Sequence, residues 1–161
     1  MHPILKAAHE TLSNRLAIAS LLVPLATNCN PLLKRPIEEH RTACELAACG
    51  LAVWRADRSR LPAFEEWIFS GPKAPAPEIV MAKGRELVGT NAFDRALKDP
   101  WISDHISRNI TLYHTNYLRF RKSVLPELMI GTNITSGTLR SLDDLMGLLQ
   151  QLPEFVKTPA P

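Results

Sequence analysis

The sequence predicts an α/β protein that is rich in helix and contains little strand. Over most of the chain, apolar residues recur at spacings of three and four, as they do on the buried face of an α-helix. Two regions instead carry short apolar runs bounded by proline, glycine or asparagine, which are typical of β-strands. The length of 161 residues and the hydrophobic content of 45% suit a single folded domain over residues 1–161.

The N-terminal part is predicted to be a helix followed by a strand. Residues 3–13 begin with a proline suited to a first turn, and the apolar residues after it share one face. Leu16–Ala26 has the length of the apolar part of a signal peptide, but Glu10 interrupts the basic segment and a poor cleavage site follows. A buried strand over Leu16–Val23, stopped by Pro24, is therefore favoured. We then expect no export signal, and no stretch is apolar for long enough to span a membrane.

The middle of the chain is predicted to be helical after an irregular loop with three prolines in thirteen residues. In the first of the helices, five residues recur at spacings of three and four and so form one stripe: His40, Cys44, Ala47, Leu51 and Trp54. Cys44 and Cys49 then lie inside this helix, where neither thiol is expected to be activated. The four predicted helices cover residues 37–56, 62–69, 77–88 and 90–98.

The last third is predicted to contain one long helix, a hairpin and a closing helix. Asp99 and Pro100 are good starting residues for a helix over residues 100–121, and its apolar face comprises Ile102, Ile106, Ile110, Tyr113, Tyr117 and Phe120. Ser123 to Pro126 breaks this helix. Strands 127–131 and 134–139 follow, joined through Thr132-Asn133. A helix capped by Ser141 has Leu142, Leu145, Leu149 and Leu152 as its core face, and the tail, residues 157–161, is expected to fray.

Two stretches resemble a known family. "VLPELMIG", residues 124–131, occupies the place of the cis-proline segment of thioredoxin-like disulfide oxidoreductases of the DsbA type. "CNPLLKRPIEEHRTACELAACGLAVWRAD" followed by "FEEWIF" is similar to the start of that family's helical insertion, which would cover residues 37–98 here. The chain is most similar to the thioredoxin-like domains associated with vitamin K epoxide reductase homologues. The resemblance implies a thioredoxin-like fold.

The resemblance also implies site residues. The Leu125–Pro126 bond would be cis, and both residues would bind an extended peptide that pairs with the backbone of Leu125 as an added strand. An ordinary trans proline is the alternative, and it is far commoner in folded proteins. Cys29 and Cys44 match positions that carry a structural disulfide in similar insertions. The alternative is a pair of reduced thiols, as expected in a reducing cytosol.

The family's catalytic motif, Cys-X-X-Cys at the start of the first helix, is absent from this sequence. Residues 1–12 read as the remainder of that helix, so the first central strand is expected to be missing as well. The chain would then be N-terminally incomplete, or a homologue that has lost the motif. No catalytic residue is assigned, because thiol–disulfide exchange in this family needs a low-pKa thiol and a resolving partner two residues away.

The expected function is therefore the body of a thiol–disulfide oxidoreductase, redox-inactive in this chain. Its partners would be extended or unfolded proteins and a membrane quinone-linked reductase domain, and its location would be periplasmic or extracytoplasmic. The alternatives are a non-catalytic peptide-binding module and a mostly helical scaffold with an accidental resemblance. His40 and Cys44 lack a third ligand at a suitable spacing, so we expect no metal and no cofactor. The net charge of +3 and the basic run at 119–122 fit a solvated helix end, so no nucleic acid partner is expected.

Overall fold

The computed structural model describes residues 1–121, 124–152 and 155. It is helix-rich, with 61% of its residues in helices, and the described residues contain one two-stranded antiparallel sheet. The chain therefore has the predicted mixed α/β character. The α-helices are α1 (His2–Leu12), α2 (Ala43–Ala56), α3 (Leu61–Ile68), α4 (Pro77–Val88), α5 (Thr90–Leu97), α6 (Pro100–Phe120) and α7 (Leu142–Leu149), and the strands are β1 (Glu127–Ile130) and β2 (Asn133–Ser136).

The backbone divides into two compact units. Unit 1 comprises Met1–Ser20 and Asn116–Pro161, and unit 2 comprises Leu21–Thr115. The predicted helical insertion, residues 37–98, falls inside unit 2. That residues 1–161 form one domain stays a prediction.

Unit 2 is built around a continuous apolar core. Its largest fully buried side chains are Phe93, Val53 and Val80. A side chain at position 84 would collide with the ring of Phe93, so Gly84 allows α5 to bring Phe93 against α4. The core lies among α2, α4, α5 and the first turns of α6, whose Ile102, Ile106 and Ile110 are all buried.

Unit 1 has a smaller core, in which α1 and α7 contact each other through Ala8, Leu12, Leu145 and Leu149. Leu128 and Ile130 of β1 pack against this cluster from the sheet. This support matters because an isolated two-stranded hairpin is at best marginally stable in water. Ser141 caps α7 as predicted, its Oγ accepting a hydrogen bond from the backbone N–H of Asp144 at 3.1 Å.

The predicted strand over Leu16–Val23 is wrong. The segment is extended at Leu16, with φ of −126° and ψ of 121°, but no residue from 16 to 23 belongs to a strand. Ile18 and Leu21 are 40% and 45% exposed, so the segment is not buried as predicted. β-Branched residues favour extended backbone, but a strand also needs a neighbour to complete its hydrogen bonds, and β1 and β2 pair only with each other in the described residues.

Two predicted helices differ in detail. The helix expected from residue 37 begins at Ala43, because the preceding residues form a separate 3-10 turn, Glu38–His40, whose side chains are all exposed. The predicted apolar face of α6 is buried up to Ile110, but Tyr117 and Phe120 are 37% and 38% exposed. Ser123 and the predicted frayed tail, residues 157–161, lie outside the described residues.

Candidate functional site

The turn of the hairpin fixes which backbone groups of β1 face outward. Ile130 pairs with Asn133, so the connecting turn is Gly131-Thr132 and not the predicted Thr132-Asn133. Gly131 has φ of 59°, which suits glycine at the first central position of a two-residue hairpin turn. The residues that flank such a turn, Ile130 and Asn133, exchange backbone hydrogen bonds with each other.

In an antiparallel pair, hydrogen-bonded and non-hydrogen-bonded residue pairs alternate along the strands. Leu128 and Thr135 therefore form the next hydrogen-bonded pair, and Pro126 and Gly137 the one after it. The Gly137 N–H does donate to the Pro126 carbonyl oxygen at 2.9 Å, which confirms this alternation. Pro126 has no N–H to donate, so the Pro126–Gly137 pair has one backbone hydrogen bond and not two.

The intervening residues, Glu127 and Met129, consequently direct their N–H and C=O groups away from β2. No described residue pairs with these groups to extend the sheet. The Met129 side chain is 46% exposed, and Val124, which precedes the strand, is 58% exposed. This outer edge of β1, formed by Glu127 and Met129, is a set of backbone donors and acceptors next to exposed apolar side chains.

Asn116, in the last turns of α6, contacts the side chains of Glu127 and Met129. It is buried, and its Nδ2 lies 3.2 Å from Glu127 Oε2 and 3.5 Å from Met129 Sδ. The other face of β1, carrying Leu128 and Ile130, packs on the core of unit 1. The strand is therefore contacted on both faces, while its outer edge has no partner strand in the part of the chain that the structure describes.

The two residues predicted to bind peptide lie where β1 begins. The Leu125–Pro126 peptide bond is cis. Both residues are half-buried, and Pro126 takes part in the ladder through its carbonyl oxygen. Glu127, the first residue whose backbone groups face away from β2, directly follows Pro126.

The remaining predicted site residues lie in unit 2. Cys29 and Cys44 form a disulfide, with their Cα atoms 6.0 Å apart. Because α2 begins at Ala43, Cys44 is its second residue, in the first turn and not inside the helix as predicted. His40 lies in the exposed 3-10 turn before α2, so no helix brings His40 and Cys44 together.

Cys49 is the free cysteine of unit 2 and is 1% exposed. Burial raises the pKa of its thiol to about 11, with a smaller raising effect from Glu45 and an opposing one from Arg85. A thiol of this kind is overwhelmingly protonated near neutral pH. Cys49 is therefore chemically inert in the folded chain, as the sequence predicts.

In the part of the chain that the structure describes, no group of three His, Cys, Asp or Glu side chains is placed to hold a metal ion. The described helices include none that is long and apolar enough to cross a bilayer.

Three comparisons with known proteins return nothing. No protein-family model, no curated protein and no solved structure matches this chain.

Sequence reasoning missed Asn116 and the outward direction of Glu127 and Met129. A signal for Asn116 was present, because Asn109 and Asn116 lie seven residues apart, about two turns, and interrupt the apolar stripe of the long helix. Both are buried, and Asn109 Nδ2 donates to the Leu22 carbonyl oxygen at 3.2 Å. Buried amides need hydrogen-bond partners, so two of them on one apolar stripe mark places where another segment is held.

Proposed function

We propose that this chain is the peptide-binding body of a thioredoxin-like disulfide oxidoreductase of the DsbA type. The observation that carries the proposal is the open outer edge of β1, where Glu127 and Met129, directly after Leu125–Pro126, present backbone groups that no described residue pairs with. An extended polypeptide would pair with these groups as a third strand. Backbone pairing reads no particular sequence, which suits a partner that is an unfolded or extended protein.

Side chains beside the edge would add apolar contact. The exposed parts of Val124 and Met129 offer surface to alternate side chains of the added strand. Glu127 adds a carboxylate on the same face as Met129, so a lysine or arginine in the peptide would gain an ion pair there. We therefore expect a preference for apolar segments that also carry basic residues.

The resemblance of residues 124–131 to the family's cis-proline segment supports the oxidoreductase part of the proposal. The sequence contains no Cys-X-X-Cys. Within unit 2 the thiol of Cys49 is buried and inert, so it offers no substitute for the family's attacking thiol. The chain would then bind peptides without catalysing turnover of their disulfides.

The binding mode is tested by removing one outward N–H. Met129→Pro deletes the outward donor and leaves every hydrogen bond of the ladder in place, since Pro is tolerated at an edge position whose N–H faces solvent. Met129→Ala keeps the N–H and removes only the side chain. With a short fluorescent, apolar and basic peptide, we expect Met129→Pro to weaken binding about fivefold, because the lost donor is worth about 1 kcal/mol, and Met129→Ala to weaken it less.

Protection of the Gly137 amide, which donates to Pro126, reports whether the hairpin of each variant is intact. Equal affinities of the wild type and a folded Met129→Pro variant would show that the edge does not bind peptide.

The oxidoreductase part is tested separately. With glutathione supplied as the reductant, a fusion that places a β-strand and Cys-X-X-Cys directly before His2 should reduce a disulfide-bonded model peptide with multiple turnovers, while the chain alone should not exceed the rate of glutathione by itself. Failure of the fusion together with unchanged peptide binding would favour the non-catalytic peptide-binding module.

A further inference from the structure

The two sulfurs of the Cys29–Cys44 disulfide differ in their surroundings. Cys44 is buried, with 8% of its surface exposed, whereas Cys29 is half-buried in the loop before α2. Thiol–disulfide exchange begins with attack by a thiolate on one sulfur of the bond, and access decides which sulfur is attacked. An external thiolate would therefore reach Cys29 Sγ in preference to Cys44 Sγ.

Burial disfavours a Cys44 thiolate, but the position of Cys44 at the start of α2 opposes that penalty. Cys44 lies in the first turn of α2, a helix of 14 residues, where unpaired N–H groups and the helix dipole favour negative charge. Asn28 Oδ1 lies 2.7 Å from Cys44 Sγ. The disulfide sulfur carries no hydrogen, but once Cys44 leaves and takes up a proton, its S–H has this acceptor beside it.

A cavity of about 200 Å³ opens near the disulfide on the surface of unit 2. Neither cysteine lines this cavity, but their sequence neighbours Asn28 and Glu45 do. Ile37 and Arg41 lie on the same cavity, which therefore combines apolar surface with both signs of charge.

The loop that carries Cys29 is held by more than the disulfide. Asn30 is 2% exposed, and its Nδ2 donates to the Pro24 carbonyl oxygen at 2.9 Å while its Oδ1 accepts from the Leu32 N–H at 3.2 Å. Breaking the disulfide would leave these bonds in place. The two sulfurs would then stay near each other, so the bond could form again.

From these observations we propose that Cys29–Cys44 is an exchange site for protein dithiols of the Cys-X-X-Cys class, with attack at Cys29 and departure of Cys44. In the first step a partner thiolate bonds to Cys29 Sγ, the Cys29–Cys44 bond breaks, and Cys44 leaves as a thiolate that takes a proton from water. The partner's second thiolate then attacks its own sulfur in the mixed disulfide and releases Cys29. The partner ends oxidised to a disulfide, and Cys29 and Cys44 end as two thiols.

This inference goes beyond peptide binding at β1 and rests on unit 2 alone. The reaction is stoichiometric, one partner dithiol per chain, so it is compatible with the absence of catalytic turnover. Loss of exchange would leave the β1 edge untouched, and loss of peptide binding would leave the disulfide untouched.

The first step can be trapped with glutathione, a monothiol, on the full chain carrying Cys49→Ala, which excludes reshuffling with the third cysteine. After quenching with acid and N-ethylmaleimide, peptide mapping should place glutathione on Cys29 and the maleimide on Cys44. The initial rate should rise linearly with glutathione concentration, as expected for attack on the folded chain. Glutathione on Cys44, or a rate that reaches a plateau set by unfolding, would overturn the proposal.

A charge beside the leaving sulfur provides a second test. Asn28→Asp puts a carboxylate next to Cys44 Sγ and should slow glutathione exchange by about threefold or more, because two like charges repel at this distance. Asn28→Ala, the matched control, removes the amide without adding charge and should change the rate less. Equal rates for the two folded variants would contradict departure of Cys44.

Discussion

Unit 1 and unit 2 differ in the size of their buried cores and in how fully their backbone is paired. The core of unit 2 comprises twelve buried residues, and a disulfide ties the loop before α2 to its first turn. The core of unit 1 has four buried residues in the part of the chain that the structure describes, and its two-stranded sheet keeps an open edge. A strand whose outer edge is uncovered is a ready partner for another strand, because its outward backbone groups can form a second ladder.

The two units consequently offer different chemistry to a partner. In unit 1 the available groups are backbone amides, and the interaction they support is reversible pairing. In unit 2 the available group is a disulfide bond whose two cysteines differ in exposure.

Truncation of Phe93 should have the largest effect. Phe93→Ala removes the largest fully buried side chain of unit 2 and should lower the free energy of unfolding by about 3–5 kcal/mol. Ile79 lies on the neighbouring helix α4 and is 56% exposed, so Ile79→Ala should change the free energy of unfolding by less than about 0.5 kcal/mol. Urea denaturation followed by tryptophan fluorescence measures both, and similar losses for the two variants would contradict the core described for unit 2.

Removal of the disulfide should come next. The bond closes a loop over a sequence separation of 15, so Cys29→Ala combined with Cys44→Ala should cost about 3 kcal/mol in urea denaturation. The double variant should still fold, because Asn30 and Asn109 continue to hold the segment before α2. A chain without native helix content by circular dichroism would show that the loop depends on the covalent bond.

The buried thiol should give a smaller, pH-dependent effect. The pKa of Cys49 is raised by burial from 9.0 to about 11, so the unfolded chain releases this proton at lower pH than the folded chain does. Between these values the unfolded state binds fewer protons, and stability falls as pH rises. At about pH 10 the wild type should lose about 1 kcal/mol relative to its value near pH 8, a loss that Cys49→Ala should lack. Identical pH profiles would argue against a buried thiol.

The helices were largely predictable, because their signals are local. Pro77 and the following spacing placed α4 at its observed bounds, and Ser141 marked the start of α7. The prediction of a strand over Leu16–Val23 was wrong, because β-propensity does not show whether a neighbouring strand is present. The cis bond at Pro126 and the Cys29–Cys44 bond were expected only through the family resemblance, and both are present.

The open edge of β1 was missed because the turn was predicted one residue too late. With the turn at Thr132-Asn133, Ile130 would pair with Thr135 and not with Asn133, so the partner of each β1 residue moves by two positions. Since strand residues alternate, that shift exchanges the backbone groups that face β2 with those that face outward. Gly131 is a local signal for the observed turn, since a two-residue hairpin turn has positive φ at its first central position, and in the observed register Leu128 and Ile130 pack on the core of unit 1.

Amide hydrogen exchange along β1, with and without a saturating apolar and basic peptide, tests the central claim most directly. In the free chain, the Leu128 and Ile130 amides should be protected by their bonds to β2, while those of Glu127 and Met129 exchange freely. Peptide should slow exchange at Glu127 and Met129 and leave Leu128 and Ile130 almost unchanged. Unaltered exchange at Glu127 and Met129 under conditions where the peptide is bound would show that it binds elsewhere and would contradict strand addition at this edge.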